Sequence, residues 1–223
     1  MKISKKVILE IEQEAKQYFV GASGCHDWTH VDRVRNLALR IGKKEGADTS
    51  ILEIAALLHD IGRKKEMKNK GGFCHAEHGA EIAKDLLKKY NFNKEVMENI
   101  LHCIISHRFR NNHVPSTIEA KCLFDADKLD SIGAIGIARD FLFAGGAGSN
   151  NLYTGNEKRL AKEDDKHKYS YTKEDSAVLE YEIKLKHIKN KVLTKTGKKF
   201  AKERDEFMKN YFKQFWLEVA GKK

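Results

Sequence analysis

Proline is almost absent from this 223-residue chain, with Pro115 as its single instance. Runs of β-branched residues are few as well. All-β folds need frequent turn punctuation, so their scarcity here predicts long helices instead. No apolar run approaches the roughly 20 residues that a membrane span requires. The first residues, MKISKKVILEIEQEAKQYFV, start basic but lack a sustained apolar core. Val7, Ile11, Ala15 and Phe19 recur there at helical spacing, which reads as a helix rather than a signal peptide and sets a cytoplasmic expectation. Cys25, Cys74, Cys103 and Cys122 lie far apart with no CxxC pair, poor spacing for zinc. Free, buried thiols in a reducing compartment are the expectation.

The length suits one domain with its own core. The charged share is 33% and the hydrophobic share 41%, a globular balance. Lys and Arg number 42 against 32 Asp and Glu, a net charge of +10 that attracts anions such as nucleotides. Residues 184–223 alone carry 13 Lys/Arg against 4 Asp/Glu. A solvated helix face explains that excess most simply.

Helices follow one another from the N-terminus. One is predicted from about Trp28 to Lys44, capped by Asp27, with Val31, Val34, Ala38 and Ile41 as its apolar stripe. The next opens on a capping box, Ser50 to Glu53, and runs through IAALLHD to a stop at Gly62. Others are predicted at about 75–90 and 94–108. A second capping box, Ser116 to Glu119, opens a helix to about Ser131, and another covers Ala134 to Phe143. Periodicity then fails over 144–172, a length that suggests a loop or lid. Two basic amphipathic helices, about 173–193 and 198–220, close the chain and are expected to pack on a core spanning about 20–145. The aromatics Phe207, Tyr211, Phe212, Phe215 and Trp216 in the last one read first as core packing.

Eight of the ten histidines fall between His26 and His113. The sharpest feature is His59-Asp60, at the end of the apolar run AALLHDIG. Adjacent helical residues diverge by about 100°, so both reach one point only where the helix ends or a ligand lies between them. Two polar groups at the mouth of a core are costly unless partnered, and a metal would remove that cost. His30 stands in the first turn of the earlier helix, and Asp127 and Asp130 share one face of the helix that holds LFDADKLD. Two imidazoles and two carboxylates form a mixed N/O set suited to Mn, Fe, Ni or Zn with positions left for water.

The ordered series His30, His59-Asp60 and Asp127, with DxxH upstream and DADKLD downstream, resembles the HD-domain superfamily of metal-dependent phosphohydrolases. ISH and EAKCLFDADKLDSIGAIGIARDF resemble a small stand-alone bacterial and archaeal branch of it. The resemblance spans about residues 20–215. It implies an all-α helical bundle with additional C-terminal helices and one divalent metal ion (Mn, Fe, Ni, Zn or Mg) on His30, His59, Asp60 and Asp127. It also implies attack on phosphorus by a water held on that ion. Carried over by position, Lys128 is a candidate to hold substrate phosphate and Arg63 a second clamp. A solvated arginine in RKKEMKNK is the competing reading of Arg63. Asp130, His102 and His107 join the substrate-facing candidates, and Asp60, Lys128, Arg63 and His107 the catalytic ones. His75/His78 and His102/His107 are the pairs from which a second metal site would be built. His26 reads equally as a partner of the ligands or as a surface residue.

Three functions follow. Hydrolysis of a phosphate ester or anhydride on a small anion, foremost a nucleotide, suits the ligand set and charge. A GYP motif, expected of cyclic-dinucleotide enzymes in this superfamily, is missing; Gly62-Arg63-Lys64 stands where alarmone hydrolases carry Glu-Asp. Di-iron oxygenase chemistry is the alternative if both extra histidine pairs contribute. A non-enzymatic nucleic-acid or regulatory module is the third, and no RNA-binding signature supports it. The basic C-terminal helices leave a homodimer open.

Overall fold

The computed structural model describes residues 3–22, 25–64, 74–108, 112–146, 149, 151–163, 169, 172 and 174–223. Among them the chain forms ten α-helices and no strand. These are α1 (Lys5–Tyr18), α2 (Trp28–Glu45), α3 (Thr49–Leu58), α4 (His75–Leu87), α5 (Lys94–Ser106), α6 (Ile118–Asp130), α7 (Gly133–Gly146), α8 (Glu157–Leu160), α9 (Ala177–Ile183) and α10 (Lys195–Val219). Short 3₁₀ turns cover Lys88–Tyr90 and Leu185–Asn190. None of the described helices is long and apolar enough to cross a membrane. Two compact units result: residues 1–127 with 193–197, and residues 128–192 with 198–223.

In the first unit α3 is apolar on every side and buried from Ile51 to Leu58 apart from Glu53. It packs against α1, α2 and α5, and α4 packs on α5. Each fully buried Leu or Ile there stabilises the fold by roughly 1.5–3 kcal/mol. Asp27 caps α2 as predicted, accepting from the His30 amide at 3.2 Å. Both predicted capping boxes are corrected. Asp48, two residues before Ser50, caps α3 by accepting from the amides of Ser50 and Ile51. Glu53 pairs instead with Arg35, whose guanidinium also meets Glu12 at 3.0 Å. At α6 the cap is Thr117, which accepts from the Ala120 amide. Glu119 turns away from the helix start to accept from the Asp48 amide at 2.7 Å and the Asn99 side chain at 3.0 Å. A carboxylate that can satisfy a buried amide elsewhere is worth more there than in closing a box.

Residues 193–197 belong to this unit because Asp125 holds them. Its buried carboxylate accepts from the amides of Leu193 and Thr194, both at 2.7 Å, and from the Thr194 hydroxyl at 2.6 Å. Glu45 accepts from the Thr196 amide.

In the second unit the aperiodic stretch after α7 contains α8 and a small core. Leu160, Tyr169 and Leu179 bury one another, with Ile183 against them. Glu157 is buried and accepts from the Thr154 hydroxyl and amide. The predicted continuous helix over 173–193 is two pieces. Ser176 caps α9 through the Leu179 amide, and the backbone leaves helical geometry at Lys184. The following turn is 3₁₀, where residues three apart eclipse, so Leu185 and Ile188 are buried together.

Candidate metal centre

Four chain segments of the first unit, carrying His30, His75, His107 and Asp127, converge on His59 and Asp60. α3 ends at Leu58, so His59 is its cap residue and Asp60 lies in the turn beyond. The end of the helix frees the pair to point to one place. His59 Nδ1 donates to the Ala56 carbonyl at 2.7 Å, which leaves Nε2 with its lone pair outward. That Nε2 lies 3.3 Å from Nε2 of His30, positioned by the first turn of α2. His30 Nε2 is 3.5 Å from Asp127 Oδ1 and 3.7 Å from Asp60 Oδ2. His30, His59 and Asp60 are buried, whereas the Asp127 side chain is 18% exposed. Donor atoms of His30, His59 and Asp127 all lie within 4.8 Å of one another, as do those of His26, His30 and Asp60. Buried imidazole nitrogens and carboxylate oxygens facing one another at these distances fit a divalent cation.

Asp60 has a second face. Its Oδ1 is 2.9 Å from His75 Nε2 and 3.5 Å from His107 Nε2, and the two imidazole nitrogens are 3.1 Å apart. These three residues also lie within 4.8 Å of one another through their donor atoms. His107 Nδ1 donates to the Ile104 carbonyl at 2.6 Å. His75 Nδ1 instead faces two guanidiniums, Arg63 at 2.8 Å and Arg108 at 2.9 Å. Arginine only donates, so His75 accepts on Nδ1 and its Nε2–H donates a hydrogen bond to Asp60 Oδ1.

Arg63 reaches on to His26 Nε2 at 2.7 Å, and His26 Nδ1 is 3.5 Å from Asp60 Oδ2. Burial resists charge on Asp60. The Arg63 guanidinium and the Nε2–H of His75 outweigh it and hold the carboxyl well below its ordinary range. Burial is also the leading reason the His59 imidazole titrates below an ordinary histidine, and it pushes His107 down to about 4. Both rings are therefore neutral near pH 7, the state in which imidazole binds metal.

Gly62 makes the approach of these segments possible. A Cβ there would lie 2.4 Å from the His75 carbonyl oxygen and 2.8 Å from the Gly79 amide nitrogen. It marks close contact with α4 rather than the predicted helix stop, because α3 has already ended.

The histidine pairs named from sequence are split. His75 and His107 enter the cluster. His78 faces Glu81 at 3.4 Å, and His102 meets the Ser116 hydroxyl at 2.8 Å. The five-residue spacing sets His102 and His107 about 140° apart around α5, whereas His75, the first residue of α4, reaches Asp60 from the helix start and His78, one turn on, does not. Lys128 and Asp130 fall in the second unit, where Asp130 is buried and paired with Arg139 at 2.6 Å. Sequence reasoning missed Arg108 and left His26 undecided. The available signals were adjacency to His107 for the first and a place beside the Asp27 cap for the second.

The sequence profile of the HD domain matches residues 27–132, and the chain belongs to the HD-domain superfamily. Among its relatives, YpgQ of Bacillus subtilis is 34% identical over 203 residues, covering 89% of this chain and 87% of YpgQ. The crystal structure of that YpgQ in complex with ADP superposes with a TM-score of 0.71 at 31% identity, covering 94% of this chain and 93% of YpgQ. An HD-superfamily hydrolase from Bacillus thuringiensis superposes with a TM-score of 0.72 at 27% identity, covering 97% and 98% of the two chains.

Proposed function

We propose that this protein is a divalent-metal-dependent phosphohydrolase that cleaves an ester or anhydride bond of a small phosphorylated molecule, foremost a nucleotide. The observation that carries the reading is the convergence of His30, His59 and Asp127 on one point, with Asp60 beside them and cationic Arg63 close by. A cation held there would lower the pKa of a coordinated water and neutralise phosphoryl oxygens. The chain's own groups supply the rest. Asp60, ionised and fixed by His75, presents Oδ2 toward the ligand nitrogens. Arg63 and Arg108 place positive charge against His75, where an anionic substrate gains and a cation loses. Lys128, directly after Asp127 in the chain, is proposed as a further phosphate partner. The ADP complex of YpgQ supports a nucleotide as the substrate class here.

One metal ion is the favoured count. The two guanidiniums at His75 Nδ1 leave its Nε2 protonated, which removes one of the three donors a second ion would use. The second reading, a two-metal centre with oxygenase chemistry, rests on the Asp60, His75 and His107 cluster. Incubating the purified chain and Mn²⁺ with nucleoside mono-, di- and triphosphates tests the proposal through phosphate and pyrophosphate release. Release from one class, with a redox-inert cation also active, supports hydrolysis. No release from any class with any divalent cation overturns it.

A further inference from the structure

The second unit contains a groove of about 400 Å³ that shares no residue with the metal cluster. One wall is a face of α10 with Phe212, Lys213 and Trp216, and the groove is completed by Lys158 of α8, Tyr181 of α9 and Lys222. Tyr181 and Phe212 stack on each other at 4.0 Å with planes 23° apart, and both are buried at the base of the groove. Trp216 is half-buried and held edge-on by Tyr153 at 5.4 Å and Phe215 at 5.3 Å. The charges are one-sided. Glu182, the one acid on the lining, is paired with Lys186 at 2.6 Å, and Lys209 with Asp205 at 2.9 Å. Lys158, Lys213 and Lys222 are exposed and have no carboxylate partner among the described residues.

A basic helix face that serves only solvation has no need of an aromatic-floored concavity. Three ammonium groups without a carboxylate partner among the described residues, set around aromatic rings, suit a ligand that joins a flat ring to clustered negative charge. Inorganic phosphate would leave the rings unused, and an apolar ligand would leave the lysines uncompensated. The volume falls within the roughly 300–1,000 Å³ of small-molecule pockets, and stacking a base on an aromatic ring contributes about 1–3 kcal/mol. We infer that this groove is a second nucleotide site, for a nucleoside di- or triphosphate, with Trp216 against the base and Lys158, Lys213 and Lys222 around the phosphates.

The test uses metal-stripped protein in chelator, so its result is independent of hydrolysis. Trp28→Phe leaves Trp216 as the single tryptophan. The same signal is read in the unsubstituted chain as the part lost on Trp216→Phe. Titration with ADP is expected to quench Trp216 and saturate at one ADP per chain. The exposed double substitution Lys158→Glu/Lys213→Glu should weaken binding about tenfold. Adenosine and pyrophosphate alone should each bind more weakly than ADP. No quenching, quenching unchanged by the charge reversals, or equal affinity for pyrophosphate overturns the inference. So does tighter binding of a short single-stranded oligonucleotide, which would make the groove part of a nucleic-acid surface. Self-association that buries Trp216 overturns it in favour of a second copy.

Discussion

The Nε2 atoms of His30 and His59 face each other across 3.3 Å, and the His59 nitrogen is unprotonated because its Nδ1 donates to Ala56. Two imidazole nitrogens brought that close in a buried place need a proton or a cation between them. Asp60 Oδ2 and Asp127 Oδ1 supply the negative charge that makes a cation the better occupant.

Replacing Asp60 with alanine should therefore remove the metal without unfolding the chain. The expected result is metal affinity weaker by about 100-fold or more, with helical circular dichroism unchanged. Loss of helicity alongside the metal would make Asp60 a structural residue instead.

Acid should destabilise the metal-stripped protein through His107. Its folded value of about 4 lies below the ordinary 6.5, with burial as the leading cause. Between those values the unfolded chain binds a proton that the folded chain refuses, so this contribution is complete above about pH 6.5 and is lost as pH falls toward 4. Denaturant midpoints measured across that window should fall with acid, and His107→Gln should flatten the slope. An equal slope in the variant would contradict the assignment.

Asp125→Ala should lower stability by about 2–4 kcal/mol, because the buried amides of Leu193 and Thr194 lose their acceptor. Metal content should stay at the unsubstituted level, since Asp125 contributes no donor to the clusters. Equilibrium unfolding and metal analysis on the same sample check both halves.

Gly62→Ala tests the contact that seats His75. The added methyl would overlap the backbone of α4, and overpacking of this kind costs about 1–3 kcal/mol. A drop in melting temperature together with weaker metal binding is expected. A neutral effect would show that the turn relaxes freely.

Much of the centre was legible in sequence for a specific reason. An apolar run that ends in two polar residues exposes the end of a buried helix, so His59 and Asp60 declared themselves. Asp27 could be assigned as the cap of α2 because the interaction is local: it stands just before the apolar stripe and accepts from the amide three residues on. The capping boxes misled because they are local patterns, whereas Glu53 and Glu119 are held by partners 18 and 71 residues away. The split of the histidine pairs depends on which face α4 and α5 turn inward, and single residues in short motifs carry little of that information. Arg108 escaped notice because its role exists only once α4 brings His75 to it.

Metal content per chain, measured with and without Asp127→Ala while nucleotide hydrolysis is followed in the same preparations, tests the central claim most directly. The account predicts close to one divalent ion per unsubstituted chain, and loss of both ion and phosphate release in the variant. Full metal content and undiminished release in Asp127→Ala would contradict it.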